Sequence, residues 1–501
     1  MVWLHALVAL WLALYGANAL FTTLVYLRRR RQAPPPPPAP AAWPRVTVQL
    51  PVFNELHVVE RLIDAVASLD YPRNSLQIQV LDDSTDETTA LALARVEHYR
   101  RQGVDIGLLH RTERTGYKAG ALAEALARAN GELIAIFDAD FVPPPDFLRR
   151  TVPYLAADPG LGFVQTRWGH LNADYSPLTR AQTLALDGHF VVEQTARQRS
   201  GWFFGFNGTA GLWRRACIEA AGGWQADTLC EDLDLSYRAQ LGGWRGLYLP
   251  DVVAPAEVPP QLAAYRRQQA RWATGSVQTL RKLGSRVLAA PRPLLTRVQG
   301  LLHLSAYLCH PLMVALLLLT LPLLVAAGDQ RGPLHWLMAY LGFATAGPPL
   351  LFAVAQRELR PQPWGRQGWL ARMASLPVLM LLGTGVALSN TVAVLRGLSG
   401  RPSTFRRTPK FRVERREDAW QDKRYALPAD PIVLGELALA AYALLTVIVA
   451  VDRGHLYAAP FMLLYAAGFG MVGGVTLWQG RRRRPTSRRH LRHRPVPQGR
   501  A

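Results

Sequence analysis

Two hydrophobic patterns divide this chain. Between Arg45 and Leu283, short apolar runs (VTVQL, IQVLD, DIGLLH, LIAIFD and LGFVQT) alternate with longer stretches of helical pattern. The runs have strand length and bury readily. Leu56–Leu69, Glu87–Arg101, Lys118–Ala129 and Leu178–Arg199 have helix length. That alternation predicts an α/β domain on a mainly parallel sheet, with ligands at the carboxyl ends of the strands. Outside the block the pattern becomes continuously apolar over Trp3–Leu27, Leu301–Ala327, Leu334–Ala355, Leu376–Leu395, Ile432–Val451 and Leu456–Trp478. Segments of this length cross a bilayer as helices, which predicts an integral membrane protein.

The first apolar run lacks a basic start and is followed by Arg28–Arg31 rather than a small-residue cleavage site, so it reads as an anchor. Pro34–Pro44 is a stiff, extended spacer. The chain then divides into an anchor (1–31), a Pro-rich linker (32–44), the α/β domain (45–285), a transmembrane and interfacial region (286–479) and a basic tail (480–501). Basic residues beside membrane helices mark the cytoplasmic side. With Arg28–Arg31 inside, the amino terminus is outside and the α/β block is cytoplasmic. The tail is also basic and should be inside, so an even number of crossings must follow the block, although five apolar segments are present. Leu376–Leu395 is the segment expected not to cross. It contains Gly383, Gly385, Ser389 and Asn390, and lies between the basic loops Arg357–Arg372 and Arg396–Arg416.

The 501 residues carry a formal net charge of +21, concentrated at Arg28–Arg31, Arg401–Arg416 and from Arg481 onward. The tail has no interleaved aromatics and no nucleic-acid motif, so anionic lipid is the expected partner and nucleic acid is not. Cys217, Cys230 and Cys309 are scattered and odd in number, which suggests neither a disulfide framework nor a zinc site.

Three acidic clusters fall where an α/β domain places ligand groups: Asp82, Asp83 and Asp86 in LDDSTD, Asp138 and Asp140 in FDADF, and Glu231, Asp232 and Asp234 in CEDLDL. The first also reads as a helix N-cap and the third as an acidic first turn. Asp-x-Asp directly after a buried strand also reads as a clamp for Mg²⁺ or Mn²⁺ on a diphosphate, with alternation directing both carboxylates to one side. RRQQARWATG, Arg266 to Gly275, gathers guanidinium and amide donors beside an indole. It fits either an amphipathic helix at a membrane surface or a site for phosphates and a stacked sugar.

DDSTD, KAGAL at Lys118–Leu122, DAD, FFGFNGTAG at Phe203–Gly211, ED and QQARW follow the order and spacing of processive family-2 glycosyltransferases. The chain resembles the cellulose-synthase superfamily, in particular its mannan and glucan synthase-like members and their bacterial relatives. RPSTFRRTPK, residues 401–410, is similar to the gating-loop motif of those synthases. The resemblance implies a GT-A-like, Rossmann-type mixed-sheet domain on the cytoplasmic face of a bacterial inner membrane, beside an α-helical transmembrane region. It implies an inverting transfer of a hexose from UDP-glucose or GDP-mannose to a growing β-glycan, which then passes through the membrane helices. The alternative is a single addition to a lipid acceptor.

It also implies roles. Asp82 and Asp83 would contact the nucleoside. Asp140, supported by Asp138, would hold Mg²⁺ or Mn²⁺, and Lys118, Gln268 and Arg271 would meet the diphosphate. Asp232, beside Glu231, would be the general base. Phe206, Asn207, Gly208 and Trp272 would face the acceptor, and Phe405, Thr408 and Lys410 would belong to the gating loop. Cys230 replaces the threonine usual in the family, which puts the role of that hydroxyl in doubt.

Overall fold

The computed structural model describes residues 1–326, 342, 344–365, 368–401 and 404–482. The α/β block folds around seven strands: β1 (Val46–Val52), β2 (Leu76–Asp82), β3 (Ile106–His110), β4 (Leu133–Ile136), β5 (Leu161–His170), β6 (Gly211–Arg214) and β7 (Arg245–Ala256). They lie in the order β3-β2-β1-β4-β6-β5-β7. Pairing is parallel except on either side of β6, which runs antiparallel to both β4 and β5. This is a GT-A-like mixed sheet. The five runs read as strands are all present. Two more, β6 and β7, have no clear strand pattern in the sequence: β6 is only four residues long, and Pro250 and Pro255 interrupt β7.

Helices cover both faces, so β4 is buried at every residue and reads as a solid apolar run. In Val59–Ala67, residues Val59, Leu62, Ile63 and Val66 form one buried stripe against the sheet. The predicted helix Leu178–Arg199 is a composite. Pro177–Asp187 starts from a Ser176/Thr179 capping box with Pro177 in its first turn, a π turn spans Gly188–Glu193, and Gln194–Arg199 completes it.

Outside the domain, Val2–Arg29, Ala306–Ala326, Ile432–Asp452 and Ala459–Arg481 are long and apolar enough to cross a membrane. Their outward faces are apolar, as at Trp3, Leu7, Trp11, Leu434 and Ile448, which suits a lipid solvent. The region expected not to cross is broken: Trp369–Gly385 and Ala387–Ser399 meet at 46°. At the break, Gly385 lies so close to the last helix that an added Cβ would meet the Gly468 carbonyl oxygen at 2.3 Å. Such a bend fits a re-entrant element or a broken span. Of Leu334–Ala355, residues 334–341 and 343 lie outside the described residues, and the helix Gly347–Leu359 follows them. Residues 402–403 of the gating-loop-like segment and nearly all of the basic tail also lie outside them.

Candidate active site

The strand order reverses direction between β1 and β4, and the crevice at such a point opens at the carboxyl ends of the strands. There β2 delivers Asp83 to a cavity that also holds Asp138, Asp140, Arg271 and Lys410. Arg111 grips Asp83 in a bidentate pair, Nε and Nη2 each donating at 2.7 Å. Asp82 is set apart from this group. It is fully buried, and its oxygens accept from the Ser84 amide at 3.1 Å, Thr89 Oγ1 at 2.6 Å and His110 Nδ1 at 2.8 Å. With its acceptor capacity taken up by these donors, Asp82 fixes the loop that presents Asp83, and the expected nucleoside contact falls to Asp83 alone.

Asp138 and Asp140 follow β4 in a turn, since the strand ends at Ile136. The expected strand alternation therefore does not orient them; the turn does, and both still line the same cavities. Each carries an ammonium: Lys118 Nζ lies 2.6 Å from Asp138 and Lys410 Nζ lies 2.7 Å from Asp140. The second oxygen of Asp140 is buried without a hydrogen-bond partner. Among the described residues no cluster of three or more protein ligands is formed. Two carboxylates with one free oxygen nevertheless fit Mg²⁺ or Mn²⁺ of the kind that completes its shell with substrate phosphates and water.

Asp232 and Glu231 open the helix Glu231–Leu241 in its first turn. Burial, with the neighbouring Glu231 charge, pushes the Asp232 carboxyl up to about 7, against the pull of Lys118 and Arg271. Gly208 faces Asp232 with φ +79°, and a Cβ there would lie 2.8 Å from Asp232 Oδ2, so this position needs glycine. Cys230 makes no side-chain cap on the helix. Its thiol packs on Gly275, where a Cβ would come within 2.4 Å of the sulfur.

Gly275 belongs to the long helix Leu262–Ala289, which carries RRQQARW. Gln268, Arg271 and Trp272 line a second cavity with Asp232, Glu231 and Asn207. Arg266 faces the other way, buried, with Nη2 2.9 Å from both Glu436 and Thr476. The stretch therefore packs inside the protein rather than along a lipid surface. Phe206 corrects an expectation: it is 1% exposed and its ring packs on Phe163 and Trp213, so it belongs to the core. Asn207 is held through its amide by Gln194 and His189.

The segment of residues 404–412 lies docked over the site. Phe405 stacks on Tyr117 with ring centroids 5.7 Å apart, and the Arg114 and Arg271 guanidiniums lie over it. Thr408 is 3% exposed and lines the same cavity. Two groups that the motifs did not flag hold this segment. Glu55, after β1, pairs with Arg407 at 3.1 Å; burial pushes its carboxyl up to about 8 despite Arg407 and Lys410. Glu257, after β7, accepts the Phe411 and Arg412 amides at 3.1 and 2.8 Å. Burial pushes Glu257 up to about 7, with the Phe411 amide opposing. Both carboxylates sit just past a strand end, the one signal that would have revealed them. Three non-glycine residues around the site, Asn54, Tyr117 and Ala210, hold left-handed backbone with φ between 52° and 54°. Such costly conformations persist where the surroundings fix them.

Residues 44–275 match the family described as "Glycosyltransferase like family 2". Glucomannan 4-beta-mannosyltransferase 2 of Arabidopsis thaliana is 46% identical over 245 residues, 48% of this chain and 46% of that protein. Glucomannan 4-beta-mannosyltransferase 1 of Oryza sativa subsp. japonica is 45% identical over 247 residues, covering 48% and 47%. The chain thus matches about half the length of these relatives. Among solved structures, the mannosyltransferase PcManGT from Pyrobaculum calidifontis, in complex with GDP-Man and Mn²⁺, aligns with 71% of this chain and 99% of its own at 26% identity and a TM-score of 0.48. A superposition that loose carries no argument about the site.

Proposed function

We propose that this chain, whose residues 44–275 match the glycosyltransferase family 2 description, transfers a hexose from a nucleotide sugar, with inversion, to a growing β-glycan. The observation that carries the reading is convergence. Asp83, the Asp138/Asp140 pair, Asp232 and the Arg271/Trp272 pair come from four separate segments and meet in two adjoining cavities under one docked segment. The names of the plant relatives favour mannose as the sugar, and hence GDP-mannose over UDP-glucose.

Asp83, fixed by Arg111, takes the nucleoside. Arg271, Gln268 and Lys118 meet the diphosphate. Asp138 and Asp140 would hold a divalent cation, which neutralises charge on the phosphates. Trp272 stacks on the terminal acceptor sugar and sets its hydroxyl near Asp232. Asp232 takes the hydroxyl proton as that oxygen bonds to the anomeric carbon. The bond from that carbon to the phosphate oxygen breaks, and the nucleoside diphosphate leaves as an anion met by Arg271. Lys410 and Phe405 close over the bound nucleotide.

The site would face the cytoplasm, with five crossings and the amino terminus outside; the plant relatives lend no support to a bacterial inner membrane in particular. Passage of the product through the membrane helices belongs to the same reading, and addition to a lipid acceptor is the alternative. The test offers purified protein in detergent GDP-mannose and UDP-glucose in turn, each labelled in the sugar. The expected product is a water-soluble chain cut by a β-mannanase. Label that partitions wholly into organic solvent would replace the polymer reading with the glycolipid one. No transfer from any sugar nucleotide would refute both.

A further inference from the structure

His170 ends β5 and stands in the wall of the cavity that holds Asp232 and Trp272. Strand alternation places Trp168, another wall residue, on the same face. His170 Nε2 lies 2.9 Å from Asp187 Oδ1. Asp187 is 5% exposed and closes the helix Pro177–Asp187. Its other oxygen accepts from Gln356 Nε2 at 2.7 Å. Gln356 is fully buried on the helix Gly347–Leu359, which packs against the membrane anchor Val2–Arg29. A short relay therefore runs from the cavity wall to the membrane helices.

The relay has a direction. A carboxylate only accepts, so the proton of a neutral His170 sits on Nε2 and Nδ1 carries a lone pair. Among the described residues Nδ1 has no hydrogen-bond partner. A pair that merely tied β5 to its neighbouring helix would not require the ring to stand in this wall. We propose that His170 is an acceptor-binding, specificity-determining residue whose Nδ1 accepts a hydrogen bond from a hydroxyl of the acceptor's terminal pyranose. Asp187 is the positioning residue that fixes its tautomer, and Gln356 holds Asp187. The proposal rests on the glycosyltransferase reading and adds to it a polar contact beside Trp272, whose ring reads only a sugar face.

The experiment measures two quantities in detergent for the wild type and for His170→Phe, His170→Gln, Asp187→Asn and Gln356→Leu. One is KM for a soluble β-linked oligosaccharide, followed by nucleoside diphosphate release. The other is affinity for the nucleoside diphosphate, which also reports a folded domain. Loss of one hydrogen bond predicts a rise of about 5- to 10-fold in acceptor KM for His170→Phe. Nucleotide affinity should hold within about two-fold, since His170 does not line the nucleoside cavity. His170→Gln keeps an amide oxygen and should recover part of the loss. In Asp187→Asn the oxygen that serves Gln356 leaves an NH₂ facing Nε2. The ring proton then moves to Nδ1, so the acceptor hydroxyl must turn to accept from it, and acceptor KM should rise by less than in His170→Phe. Gln356→Leu should shift acceptor KM in the same direction by less. Unchanged acceptor KM in folded His170→Phe and His170→Gln, or acceptor KM and nucleotide affinity moving together, would overturn the proposal. A wild type that releases no nucleoside diphosphate would instead overturn the reading on which it stands.

Discussion

Replacing Asp232 with Asn removes the proposed base while keeping the side chain's shape, and the structure assigns the change two opposite consequences. Loss of a positioned general base lowers turnover by about 10²- to 10⁴-fold. Nucleotide affinity should be retained, because the nucleoside cavity is lined by Asp83, Arg114 and Phe405 rather than by Asp232. Stability should move the other way. The Asp232 carboxyl is pushed up to about 7 by burial and by Glu231. A carboxyl raised in the fold stabilises it below the unfolded carboxyl range, and that contribution is lost as pH rises through about 7. Keeping the group ionised above that pH costs the fold about 4 kcal/mol, from a rise of roughly three pH units at 1.36 kcal/mol each. The neutral amide carries no such cost. Wild-type turnover should rise with pH and level off above about 7, while the residual activity of Asp232→Asn is flat in this range. Its melting temperature at pH 8 should exceed that of the wild type, and the difference should vanish by about pH 4. Product release at saturating donor and thermal unfolding in the same detergent give both readouts. Near-normal turnover with a wild-type pH profile would refute the assignment of the base, and a lower melting temperature at pH 8 would refute the electrostatic argument.

Further outcomes follow from other contacts of the site. Trp272→Ala should slow elongation by about 10²-fold with nucleotide affinity retained, whereas Phe206→Ala, at a core position, should cost about 3–5 kcal/mol in denaturant unfolding. Asp140→Ala should weaken sugar-nucleotide binding and turnover together, and chelator should abolish wild-type activity until Mg²⁺ or Mn²⁺ is restored; full activity in excess chelator would contradict this. Gly275→Ala places a methyl against Cys230 and should cost about 1–3 kcal/mol while slowing transfer, and Cys230→Ala in the same chain should recover part of both losses.

The elements and motifs legible in the sequence are the ones whose causes are local. β1 to β5 announce themselves as apolar runs, and Asp83, Asp138, Asp140 and Asp232 sit beside a strand end or a helix start, where short-range pattern suffices. Orientation was less legible. Asp138 and Asp140 point by a turn rather than by strand alternation, and Asp82 looks like Asp83 until Thr89 and His110 are seen to occupy it. Phe206 and Asn207 are adjacent in a motif, yet one fills the core and the other reaches the cavity. The remaining gaps come from long-range pairing. Arg266 meets Glu436 across 170 residues, and Glu257 holds the backbone of Phe411 and Arg412 from more than 150 residues away. No periodicity in a single segment encodes such partners, which is why RRQQARW alone fits a membrane-surface helix as well as a buried site.

The central claim is that the two cavities at the carboxyl edge of the sheet hold a nucleoside diphosphate and the end of a glycan. A structure of the protein in a lipid nanodisc with GDP and Mn²⁺ tests it most directly. The diphosphate and cation should lie between the Asp138/Asp140 pair and Arg271, the nucleoside against Asp83, and Phe405 and Lys410 closed above them. Nucleotide density anywhere else, with these carboxylates still paired only to Lys118 and Lys410, would contradict it.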